Sequence, residues 1–123
     1  MTEGTSIPVL RFQVGELGLG LVAAAVERLG ECAADCPHLG RLLQLPPATE
    51  PLEQRMIELS AYGRRARFVV DGPVALRRVG AHDLLPAAPS LRRERVKALL
   101  GFVKDDSRLM LLLDVAWLVR KAG

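Results

Sequence analysis

The chain has 123 residues, of which 50% are hydrophobic, 25% charged and 4% aromatic, and its 17 Lys and Arg against 14 Asp and Glu leave a formal charge of +3. That length suits one domain, or two very small halves sharing a core, and the apolar fraction excludes a disordered chain. No apolar run approaches the ~20 residues of a membrane span, and Met1-Thr2-Glu3-Gly4-Thr5-Ser6 holds no basic stretch leading into an apolar one, so the expectation is a soluble cytoplasmic protein.

Leu10, Phe12 and Val14 alternate with Arg11 and Gln13, the period of a half-buried strand. Gly15-Glu16 turns the chain into a second strand, where Leu17, Leu19 and Leu21 alternate with Gly18 and Gly20. Glycine at alternate positions marks a close backbone approach or a sharp bend. Val22-Ala23-Ala24-Ala25-Val26-Glu27-Arg28-Leu29 follows, helical by propensity yet continuous with a strand, and both conformations stay open. Residues 30–54 are the loosest stretch, with Gly30, Pro37, Gly40, Pro46, Pro47 and Pro51; within it Leu39, Leu42, Leu43 and Leu45 predict one short helix stopped by Pro46-Pro47. Ile57 and Leu59 then alternate with Glu58 and Ser60, Tyr62-Gly63 turns the chain, and Ala66, Phe68 and Val70 alternate with Arg65 and Arg67. Asp71-Gly72-Pro73 predicts a turn that closes this strand. Ser90 can cap a short basic helix reaching Lys97. Residues 99–103 and 108–113 flank Lys104-Asp105-Asp106-Ser107 as a hairpin, and Asp114 caps a terminal helix over 115–121. Leu10, Phe12, Leu19, Leu21, Ile57, Leu59, Phe68, Val70, Leu111 and Leu113 are expected inward, because the opposite faces hold Arg11, Gln13, Glu58 and Arg67.

The pattern repeats faintly. Strand, Gly turn, strand and Val26-Glu27-Arg28-Leu29 is echoed by strand, Tyr62-Gly63, strand and Leu76-Arg77-Arg78-Val79. Two β units, each too short to bury a face alone, pack against one another. The expectation is a mostly β protein of two small barrels, and neither a four-helix bundle nor a βαβ domain.

Sequence signals for catalysis are missing. No GxGxxG, Walker A, HExxH or GxSxG pattern occurs. Cys32 and Cys36, with Asp35 and His38 beside them, could supply metal ligands, but these two sulfurs are the whole supply and ordinary reduced thiols are the simpler reading. His82-Asp83 has no nucleophile in a matching context, and Asp105-Asp106 reads as a solvated turn. Gly15, Gly18 and Gly20 lack the helix and Lys-Ser/Thr pair of a phosphate cradle. Three Arg clusters, Arg64-Arg65-x-Arg67, Arg77-Arg78 and Arg92-Arg93-x-Arg95, could follow a phosphate backbone if they converge, which makes a small nucleic-acid-binding barrel the alternative reading. Solvated strand and helix faces explain them more simply. A domain that only dimerises or scaffolds is a third reading.

The second half carries a resemblance. Arg55-Met56-Ile57-Glu58-Leu59, a Gly turn, Phe68-Val69-Val70-Asp71-Gly72-Pro73-Val74 and Leu84-Leu85-Pro86 resemble the second subdomain of CheW-like chemotaxis adaptors. Leu99-Leu100-Gly101-Phe102-Val103, a turn, and Leu109-Met110-Leu111-Leu112-Leu113-Asp114-Val115-x-x-Leu118 are similar to that family's final hairpin and closing helix. Phe12 to Leu21, Val26-Glu27-Arg28-Leu29 and Pro37-His38-Leu39-Gly40-Arg41-Leu42-Leu43-Gln44-Leu45-Pro46 resemble its first subdomain. The resemblance implies two small SH3-like β-barrels sharing a core, with a short C-terminal helix: a flexible leader over 1–7 and one domain over 8–121, its subdomains at about 8–46 and 54–121. It implies no catalysis, no cofactor and no metal. The implied partner is the cytoplasmic tip of a methyl-accepting chemoreceptor, docked in an apolar groove whose walls are Val26, Glu27, Arg28 and Leu29 in the first barrel and Leu99, Leu100 and Gly101 in the second. Nucleic acid and direct membrane contact are not implied. The family usually carries a longer segment, including a strand, between the positions of Leu29 and Pro37. Here only Gly30-Glu31-Cys32-Ala33-Ala34-Asp35-Cys36 remains, as in a short member such as that of the gliding-motility "frizzy" pathway. A truncated first barrel implies that coupling to a histidine kinase regulatory domain is weak or absent, and that the exposed edge is blunted by its loop or covered by another CheW-like protein or a second copy.

Overall fold

The computed structural model of the chain describes residues 6–15, 17–31, 35–46, 53–86, 98–105 and 108–122. Period-2 alternation drives nearly all of it into strands: β1 (Ser6–Val14), β2 (Leu17–Val22), β3 (Val26–Glu31), β4 (Gln54–Ala61), β5 (Arg64–Gly80), β6 (Leu84–Pro86), β7 (Leu99–Asp105) and β8 (Arg108–Leu113). Two short helices, α1 (Leu39–Leu42) and α2 (Val115–Ala122), complete the set. The strands form one eight-stranded sheet in the order β3-β4-β5-β1-β2-β8-β7-β6. Its strand pairs are antiparallel except β2 with β8, where Leu19 and Gly20 run parallel to Leu111 and Leu112. One sheet thus carries strands from both chain segments, joined at its centre by β1.

The inward residues follow the alternation. Leu10, Phe12, Leu19, Leu21, Ile57, Leu59, Phe68, Val70 and Leu113 are buried in one core, and Leu111 packs against it half-buried. α1 and α2 cover this core with Leu39, Leu43 (just beyond α1), Leu118 and Val119. A second, smaller cluster of Val9, Val79, Val103, Met110 and Leu112 takes the opposite phase of β1 and β8. The glycines of β2 make room for it: a Cβ on Gly20 would lie 2.9 Å from both Met110 Sδ and Val9 Cγ1. The close approach read from alternate glycines is therefore a packing contact, Gly20 against Met110 and Val9.

Two local expectations are corrected. Asp71-Gly72-Pro73 does not end its strand; β5 continues through it to Gly80. The turn-forming residues are absorbed in an irregularity of the β1–β5 pair, where β1 passes from Arg11 to Gln13 while β5 passes from Ala75 to Asp71. Gly72 takes φ +75° there, and Pro73, which has no N–H to give, sits where ladder bonding is interrupted. At 22–29, the open choice resolves as a 3-10 turn over Ala23–Ala25 followed by β3, because pairing of Val26 to Glu31 with β4 outweighs the helical propensity of the alanines. The Lys104 hairpin forms as β7–β8, and Asp114 caps α2 by accepting the Ala116 N–H at 2.9 Å. The basic helix expected from Ser90 to Lys97 and most of the leader, residues 1–5, lie outside the described residues.

Candidate functional site

Val26, Glu27, Arg28 and Leu29 stand together on β3 at one edge of the sheet. Val26 is half-buried against the main core, whereas Glu27 and Arg28 are exposed and Leu29 is 40% exposed. Glu27 Oε1 pairs with Arg65 Nη2 at 3.3 Å, an exposed contact on the neighbouring surface. Charges at Glu27, Arg28 and Glu31 discourage unspecific pairing along this open edge.

Leu99, Leu100 and Gly101 stand together on β7, with five strands between it and β3 in the sheet order. Leu99 is half-buried, Leu100 is 47% exposed and Gly101 is buried where the β7–β8 register shifts between Leu99 and Gly101. Leu99 lines an apolar groove of about 130 Å³, floored by Leu19, Leu111 and Leu113. The opposite wall of this groove is Leu43, Gln44 and Leu45, which sequence reasoning recognised as a Leu-rich helical stretch and not as a groove wall.

A polar network holds that wall in place. The Gly40 N–H donates to His38 Nδ1 at 2.9 Å, capping α1. With Nδ1 occupied as acceptor, the ring hydrogen sits on Nε2, which donates to Asp71 Oδ1 at 2.8 Å. Asp71 Oδ2 accepts the Gly15 N–H at 2.9 Å, and the side chain is buried. The Val69 N–H donates to the Pro37 carbonyl at 2.8 Å, beside a parallel bridge between His38 and Val69. Asp71 therefore ties the β1–β2 turn, β5 and the start of α1 together. After α1, Gln44 adopts φ 56° and the Leu45 N–H donates to the Gly40 carbonyl at 2.8 Å, which aims Leu43 and Leu45 at the groove. On the other side the Asp114 N–H donates to the Ala98 carbonyl, fixing the start of β7 to the α2 cap. Buried polar groups satisfied in this way make a rigid frame for an apolar slot.

The remaining candidates are dispersed. His38 serves α1 and Asp71, Cys36 is a free thiol, and Cys32 lies outside the described residues. Among the described residues no group of three or more His, Cys, Asp or Glu could hold a metal ion. His82 Nε2 lies 3.4 Å from Asp83 Oδ2 on the surface, and the Asp105 side chain and Asp106 are outside the described residues. Arg64, Arg65 and Arg67 open β5 while Arg77 and Arg78 close it, so two Arg clusters lie at opposite ends of one strand; Arg92, Arg93 and Arg95 are outside the described residues. The ten residue steps from Arg67 to Arg77 span up to about 33 Å of strand. Among the described residues, no helix is long and apolar enough to cross a membrane.

Comparison with known proteins gives two findings. Residues 36–123 match the family of CheW-like domains. The crystal structure of the scaffolding protein TtCheW from Thermoanaerobacter tengcongensis has a TM-score of 0.72 at 14% identity, with 90% of this chain and 90% of that chain covered, a likeness of fold. Comparison with curated protein sequences gives no match.

Proposed function

The chain belongs to the CheW-like domain family, and from that membership we propose that it is a non-enzymatic adaptor of a chemosensory pathway, working in the cytoplasm. The observation that carries the reading is the apolar groove framed by Leu45 and Leu99 within a fold shared with a scaffolding protein. A helix lays an apolar stripe into such a groove, the helix-in-groove mode of docking. The proposed partner is the cytoplasmic tip of a chemoreceptor. Leu99, Leu100 and Gly101 form one side of its contact surface beside the groove, and Val26, Glu27, Arg28 and Leu29 on β3 form the other.

The proposal includes weak or absent coupling to a histidine kinase regulatory domain. Seven residues separate the end of β3 at Glu31 from the start of α1 at Leu39, and among the described residues this stretch meets β5 at His38, through its bridge to Val69 and its hydrogen bond to Asp71. A partner face shortened by a strand falls below the roughly 1,000 Å² that stable protein contacts need. Other CheW-like proteins, or a second copy, are the remaining partners of an adaptor with such an edge.

The test is a pair of titrations, one with a receptor cytoplasmic domain and one with a kinase regulatory domain. The expected outcome is receptor binding that Leu29→Glu abolishes with the melting temperature held, and no measurable kinase affinity. Micromolar kinase binding would show the shortened segment to be silent. Receptor binding untouched by Leu29→Glu would remove β3 from the surface.

A further inference from the structure

Over the small cluster lies a cleft of about 410 Å³ that shares no lining residue with the apolar groove. Arg77, Arg78 and Lys104 supply three cations to its lining, against the one carboxylate of Asp83. Its floor is Val79, Val103 and Met110, all buried members of the small cluster. Register places two exposed apolar side chains beside that floor. Ile7, 46% exposed, is paired with Val79, and Leu84, 37% exposed, is paired with Val103. Paired residues share a face of the sheet, and Arg77, two residues from Val79, lies on the face of Ile7 and Leu84, whereas Arg78 and Lys104 take the opposite strand phase and belong to the lining at its rim.

We propose that this cleft binds an acidic amphipathic segment of a partner protein, its carboxylates held by Arg77 and Lys104 and its apolar side chains seated on Ile7 and Leu84. Charge complementarity selects the occupant. Neither Arg77 nor Lys104 has an ion-pair partner among the described residues, and both are exposed. Arg78 is braced at the rim by donating to Ser6 Oγ at 3.0 Å, which presents its guanidinium without spending its charge. Asp83, which lies 3.4 Å from His82 at Nε2, opposes a compact multivalent anion such as phosphate. A peptide spreads its carboxylates along a backbone and brings apolar groups with them, which meets both the cations and the apolar rim.

The site is separate from the proposed receptor surface, so its failure and that of the adaptor reading are distinguishable. The probe is a synthetic helical peptide carrying Glu pairs at i and i+4 with Leu between them, titrated against the full chain by NMR, together with its Gln-for-Glu counterpart and inorganic phosphate. Glu peptide binding is expected to shift Val79, Val103 and Met110, to weaken steeply with salt, and to weaken at least tenfold for the Gln peptide and for the Arg77→Glu, Lys104→Glu double variant. Ile7→Ser is expected to weaken it several-fold with an unchanged melting temperature. Equal affinity for the Glu and Gln peptides, phosphate binding as strong as the peptide's, or indifference to either variant would overturn the proposal.

Discussion

The main core and the small cluster share β1, β5 and β8 but are closed in different ways. Over the main core, α1 packs against β5 and α2 against β4 and β5, and Phe12, Phe68, Ile57 and Leu59 are fully buried. Over the small cluster no described helix lies, and Val79, Val103 and Met110 line a cleft of about 410 Å³. The long strand β5 shows the contrast within one element: from Ala66 to Gly72 six of seven residues are buried, whereas from Pro73 to Gly80 only Val79 is. Among the described residues the sheet closes one face with its own helices and leaves the other open, which assigns stability to the first and availability to the second. That division suits an adaptor, which must stay folded while presenting surface.

Substitutions can break this contrast, and the largest effect belongs to the closed side. Phe68→Ala empties a fully buried position and is expected to cost about 3–5 kcal/mol. Val79→Ala on the open side removes two methyl-sized groups and is expected to cost only about 1.5 kcal/mol. Urea denaturation of the two variants orders them; equal losses would erase the distinction. Next in size is Asp71→Ala. It removes the acceptor of both the Gly15 N–H and the His38 Nε2–H, a buried loss of about 2–3 kcal/mol. Hydrogen exchange is expected to speed up at Gly15 and Gly40 together, and His38→Ala combined with Asp71→Ala is expected to cost less than the sum of the two. Additive losses would show the network to be two independent contacts. Gly72→Ala is expected to cost about 1–2 kcal/mol, since φ +75° strains any Cβ and this one would lie 2.7 Å from Gln13 Oε1. Combining it with Gln13→Ala is expected to recover the steric part only. The smallest effect falls on the edge. Glu27→Gln removes an exposed ion pair and is expected to shift stability by less than about 1 kcal/mol, within the error of a thermal melt.

Much of the closed side was legible in the sequence, because strict alternation leaves one choice of inward face for β1, β2, β4 and the first half of β5. The open side was not. Val9, Met110 and Leu112 lie in the phase opposite to Leu10, Leu111 and Leu113, and a period-2 argument that chooses one face of β1 and β8 hides the other. Continuity of β5 through Asp71-Gly72-Pro73 was equally hidden, since turn-forming residues inside a bulge look the same as those in a turn. Of the candidate site, Leu99 and its neighbours followed from the resemblance, and the groove wall at Leu43 and Leu45 did not. Its position depends on the His38–Asp71 pair, 33 residues apart in sequence, and no local pattern announces a contact at that range.

The most direct test of the adaptor reading is residue-resolved NMR of the full chain titrated with a receptor cytoplasmic fragment. The account predicts saturable shifts at Leu29, Leu45, Leu99 and Leu111, with Arg77 and Lys104 silent and the core signals of Phe68 and Ile57 unmoved. Saturating receptor that leaves Leu45 and Leu99 unshifted, or that moves Arg77 and Lys104 instead, would contradict it.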